Sequence, residues 1–90
     1  MTGPAYRFAF SRTATLTLAM GARAYADNLK AALRDRLDLL EQAEAEGDEE
    51  AMRYGVAAVE MTRNSLSCAE QNAALLEAAC RRRRGTEARA

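Results

Sequence analysis

The sequence predicts an all-α protein, a long antiparallel helical hairpin resembling a two-helix coiled coil and expected to self-associate. Three observations carry this. Alanine is abundant and the only proline is Pro4, so nothing downstream forbids long helices. Two long segments carry apolar stripes at helical spacing. Between them lies one internal break with turn chemistry, Gly47-Asp48. Ninety residues make one small domain with a modest core, and such chains commonly gain stability from a partner or a second copy.

Residues 1–17 form a leader of alternating character. Tyr6, Phe8 and Phe10 share one parity, and Thr13, Thr15 and Thr17 alternate with Ala14, Leu16 and Leu18. That spacing suits a short strand. It suits equally a helix extension capped by Ser11 or Thr13. The stretch RTATLTLAMGARA has a basic flank, but threonines dilute it and it is short for a signal peptide.

From about Leu18 to Glu46 the chain reads as one helix. On a 100° wheel Leu18, Ala22, Tyr25, Ala26, Leu29, Leu33, Leu37 and Leu40 fall in one arc, with Asp27, Arg34, Asp38 and Glu41 opposite. Arg36 sits at the edge of the arc, where its stem can pack while its head reaches water. Gly47 suits the left-handed residue that ends a helix. Asp48 suits the next N-cap, and Glu49 and Glu50 complement the positive end of the following helix. So short a connection sets the helices antiparallel, and residues 18–84 form the hairpin.

The second helix has more apolar surface than a hairpin needs. Ala51, Met52, Gly55, Ala58, Val59, Leu66, Ala69, Ala73 and Leu76 form a stripe aimed at the first helix. Beside it runs a second row, Tyr54, Ala57, Met61, Cys68, Leu75 and Ala79. A single packed seam takes a stripe little more than 100° wide. This surplus row is therefore the candidate partner-binding face. Met20, Met52 and Met61 read as core filler. Residues 85–90 read as a disordered tail beginning at Gly85.

The chemistry that the composition excludes is broad. Histidine is absent, which removes the commonest general base, the usual metal ligand and the ordinary Ser–His and Cys–His pairs. No phosphate-binding glycine loop is present. Cys68 and Cys80 stand about 18 Å apart on one straight helix. That is too far for a disulfide, and they read as reduced, buried side chains of a cytoplasmic protein. The seven carboxylates from Asp38 to Glu50 lack the spacing of a calcium loop and read as a solvated helix end. No metal, cofactor or catalytic residue is expected, and no membrane segment.

Arg81, Arg82, Arg83 and Arg84 read chiefly as the last turn of the second helix, offsetting its negative end. Joined by Arg7, Arg12 and Arg23, they form the candidate contact for phosphate or an acidic partner. The function expected is thus a non-enzymatic protein–protein interaction module: a small adaptor, co-chaperone or structural subunit docking a helical partner or a second copy. The alternative is a small nucleic-acid-binding regulator using the arginine-rich end.

Overall fold

A computed structural model describes the backbone of residues 12–89 and the side chains of residues 12–82. Within these bounds there are two helices and no strand: α1, Arg12–Glu46, of 35 residues, and α2, Glu49–Arg89, of 41 residues. They pack against each other as an antiparallel hairpin.

The strand alternative for the leader fails from Arg12 onward, where the backbone is helical. The Thr17 hydroxyl donates to the Thr13 carbonyl at 2.9 Å, which satisfies it within the helix. Thr15 is buried on the seam. A β-branched residue costs a helix only a few tenths of a kcal/mol, and packing outweighs that. The expectations for Tyr6, Arg7, Phe8 and Phe10 lie outside the described residues.

The turn is satisfied atom by atom. Gly47 takes φ 69°, and its N–H donates to the Glu44 carbonyl while the Asp48 N–H donates to the Ala43 carbonyl, both at 3.1 Å. This pair of bonds is the Schellman termination. Asp48 then caps α2: its Oδ1 accepts from the Ala51 N–H at 3.0 Å and its carbonyl from the Met52 N–H at 2.9 Å. Two residues, Gly47 and Asp48, close α1 and open α2, and the helices reverse direction across them. At the other end the helix runs through Gly85 to Arg89. Gly85 is not the stop expected of it, and residues 85–89 continue the helix.

The seam follows a strict alternation of three- and four-residue steps. In α1 it runs Thr15, Ala19, Ala22, Ala26, Leu29, Leu33, Arg36, Leu40 and Ala43. In α2 it runs Met52, Gly55, Val59, Thr62, Leu66, Ala69, Ala73, Leu76 and Cys80. Every one of these is buried or half-buried except Arg36. Such a 3.5-residue repeat is the coiled-coil period. Gly55 lies against Leu40, where an added Cβ would stand 3.0 Å from Cδ1. This register puts Leu29 level with Leu66, and Ala26 and Ala22 level with Ala69 and Ala73.

Arg36 enters the seam from α1 and donates from Nη1 to the Thr62 hydroxyl at 2.7 Å, which in turn donates to the Ala58 carbonyl at 2.8 Å. The seam is thin. Its buried apolar residues are Ala19, Ala26, Ala43, Val59, Ala69 and Ala73, and no large side chain among the described residues is fully buried. Small residues let the helices approach closely but remove little apolar area from water.

Candidate functional site

The seam register sorts the flanking residues onto two unlike sides. On one side, Arg23 and Lys30 of α1 meet Glu77 and Glu70 of α2. Arg23 forms a bidentate pair with Glu77, Nε to Oε2 at 3.0 Å and Nη2 to Oε1 at 2.9 Å. Lys30 Nζ stands 3.3 Å from Glu70 Oε2. The hydrogen bonds from Arg23 hold the Glu77 carboxyl below the usual carboxylate range, against the opposing effect of desolvation. The same bonds raise the Arg23 guanidinium above its ordinary value.

The opposite side carries almost no charge. From α1 it takes Leu18, Tyr25, Ala32 and Leu39, each seven residues from the next. From α2 it takes a floor of small residues, Ala58, Ser65, Asn72 and Ala79, and an outer ridge of Tyr54, Met61, Cys68 and Leu75, again at seven-residue spacing. The four charged side chains of α2 between Tyr54 and Ala79, namely Glu60, Arg63, Glu70 and Glu77, all point elsewhere on the helix wheel. Tyr25, Ser65, Cys68 and Asn72 line an open groove of about 430 Å³ midway along this face.

The ridges stand in solvent. Tyr54, Met61 and Leu75 are 70, 70 and 69% exposed, and Tyr25, Leu39 and Leu18 are 58, 63 and 42% exposed. Of the residues expected to form the partner-binding face, Tyr54, Met61, Cys68 and Leu75 make the α2 ridge. Ala79 lies half-buried in the floor, and Ala57 is exposed one row beyond the ridge.

Three expectations are corrected here. Leu18 and Leu37, grouped by the wheel with the seam residues, lie outside the seam, and Tyr25, which the wheel allows on the seam or its flank, lies on the flank. Met20 and Met61 are exposed, not core filler, and only Met52 sits on the seam. Cys68 is exposed and Cys80 half-buried; both are free thiols. Leu18, Tyr25 and Leu39 make the α1 half of the face; a 100° wheel groups Leu18 and Tyr25 with the seam residues and leaves Leu39 outside that arc, and only the seven-residue spacing unites the three.

At the open end of the hairpin Arg12, Arg23 and Arg81 line a groove of about 720 Å³ together with Asp27, Glu77 and Cys80. Part of the expected basic cluster thus converges, but among carboxylates, and Arg23 is committed to Glu77. Arg82 is exposed; the side chains of Arg7, Arg83 and Arg84 lie outside the described ones. Among the described residues no group of three or more His, Cys, Asp or Glu is gathered closely enough to hold a metal ion. No described helix is long and apolar enough to cross a membrane. No protein-family model matches the chain, and no curated protein or solved structure matches it.

Proposed function

We propose that this protein is a non-enzymatic interaction module, an adaptor, co-chaperone or structural subunit, that docks an apolar helical surface on its uncharged side. The carrying observation is the pairing of two apolar ridges, one from each helix, across a floor of small residues. Charge depletion with exposed Tyr and Met is the composition of interface cores. A contiguous apolar surface of this kind is uncommon on a small soluble chain unless something covers it. The absence of histidine from the sequence supports a role without catalysis. Two free thiols suit a reducing compartment, and we place the protein in the cytoplasm.

Site-specific photo-crosslinking in cells tests this reading. A photoreactive residue at Met61 is expected to give a discrete protein adduct, while one at Asp38, in an outward row of α1, gives none. Absence of adducts from Met61, Tyr54 and Leu75 alike would remove the reading. The nucleic-acid alternative draws on Arg12 and Arg81 at the open end. It is weakened there by Asp27 and by the Arg23–Glu77 pair, which leaves that guanidinium engaged.

A further inference from the structure

We infer that the occupant of the uncharged face is a second copy of this chain, docked face to face about a two-fold axis perpendicular to the helices, so that two hairpins form an antiparallel four-helix bundle. The inference rests on the reading above that this face docks protein, and adds its partner and orientation.

Self-complementarity is the first argument. A two-fold interface sets the same patch against itself, so any charge on it meets its own kind. Between Tyr54 and Ala79 this face of α2 carries no charge, and α1 brings to it Leu18, Tyr25, Ala32 and Leu39. Along these rows two copies therefore set no like charges against each other; Asp35, on the outer row of α1 beside them, is the nearest charge at mid-face.

Charge at the two ends sets the orientation. The turn end carries seven carboxylates from Asp38 to Glu50, with Arg53 of α2 the basic residue beside them. The open end carries the run Arg81–Arg84. Antiparallel docking lays each acidic turn beside the other copy's basic end. Parallel docking sets acid on acid and base on base.

Area is the third argument. Leu18, Tyr25, Leu39, Tyr54, Met61 and Leu75 together expose roughly 700 Å², taking large side chains at about 200 Å² each. A specific interface needs about 800 Å² from each partner. The exposed face is therefore of the right size, while the seam beneath it holds no large, fully buried side chain.

Sedimentation equilibrium of the full chain, combined with cysteine cross-linking, tests this. Wild type is expected to approach twice its monomer mass at tens of micromolar. Met61→Glu and Leu75→Glu each bury an unpaired charge and should raise the dissociation constant by about 100-fold or more. Helicity by circular dichroism should be retained, and Arg34→Glu on an outward row should leave the dimer intact. Cys68 is close to the middle of the face, so a two-fold axis there brings the two Cys68 within about 10 Å along the bundle but holds the two Cys80 about 40 Å apart. A short bismaleimide should link dimers of Cys80→Ser but not of Cys68→Ser.

A wild type that stays monomeric to millimolar concentration would overturn the inference. So would a dimer indifferent to both glutamate variants, or one linked through Cys80. A monomer that still gives a Met61 adduct with a different protein in cells overturns the second copy alone and leaves the interaction module standing. A monomer without such an adduct overturns both.

Discussion

Three glycines in this hairpin should answer alanine substitution with three different signs. Gly21 lies in the interior of α1 with nothing within 4 Å of an added Cβ. Replacing it should return the full helix-propensity difference, about 1 kcal/mol of stabilisation. Gly55 sits equally inside α2, so the same gain is available. There, however, the new Cβ would stand 3.0 Å from Leu40 Cδ1, 3.4 Å from its Cβ and 3.6 Å from its Cα. Only the first contact is too close, and turning the Leu40 side chain off its preferred rotamer costs about 0.5–1.5 kcal/mol. Gain and cost cancel to within about 0.5 kcal/mol. Gly47 holds φ 69° in the turn, where a Cβ costs about 1–2 kcal/mol.

The assay is thermal unfolding by circular dichroism at one fixed protein concentration, so that association does not alter the comparison. One kcal/mol moves the midpoint of a domain this size by about 4–8 °C. Gly21→Ala should therefore rise by that much, Gly55→Ala stay near wild type, and Gly47→Ala fall. In a Leu40→Ala background the contact is gone, and Gly55→Ala should recover the rise seen at Gly21. If Gly55→Ala instead stabilises wild type as much as Gly21→Ala does, the helices are not in contact at that layer and the seam register is wrong.

Further predictions follow from the polar contacts. Glu77 has a lowered folded-state pKa, so its contribution is present above the ordinary carboxylate value of about 4.3 and is lost as pH falls through the lower folded value. Urea midpoints between pH 5 and 3 should fall more steeply for wild type than for Glu77→Gln; equal slopes would show that the pair with Arg23 does not persist in solution. Arg36→Met should hold or raise the melting temperature, because the Thr62 hydroxyl keeps its bond to the Ala58 carbonyl and a half-wet arginine becomes an apolar layer. A fall of several degrees would mean that the Arg36–Thr62 bond is a net stabiliser. Changing Arg81, Arg82, Arg83 and Arg84 to alanine should leave DNA and RNA binding at the same low level as wild type. Steep, salt-sensitive binding by wild type that vanishes in the variant would favour the regulator reading.

The hairpin and its turn were legible because their signals are local. Gly47 and Asp48 carry their own stereochemistry, and no distant residue is needed to see that α1 ends and α2 begins there. The α2 ridge was legible too, since Tyr54, Met61, Cys68 and Leu75 exceed what one seam can bury. Gly85 misled for the opposite reason. Glycine costs a helix only about 1 kcal/mol, so by itself it permits a stop without requiring one.

The errors in α1 have a geometric origin. Leu18 and Arg36 are 18 residues apart, five whole turns of a straight helix, and therefore share one angle on a 100° wheel. A helix wound around a partner repeats every 3.5 residues, and the same 18 residues then carry the chain about 50° past five turns. That rotation takes Leu18 out to the flank, 42% exposed, while Arg36 reaches across the seam to Thr62. Tyr25 and Leu39 move with Leu18, seven and twenty-one residues along the same row. The drift that hid the seam also hid part of the face, because Leu18 and Tyr25, displaced from one, belong to the other. Read at the coiled-coil period, α1 separates into an alanine-rich seam, a flank bearing Arg23 and Lys30, and an apolar flank. Its apolar flank aligns with the surplus ridge of α2. The wheel groups Leu18 and Tyr25 with the seam residues, which leaves Leu39 alone on that flank of α1. The coiled-coil period frees them, and the apolar face becomes a property of the whole hairpin.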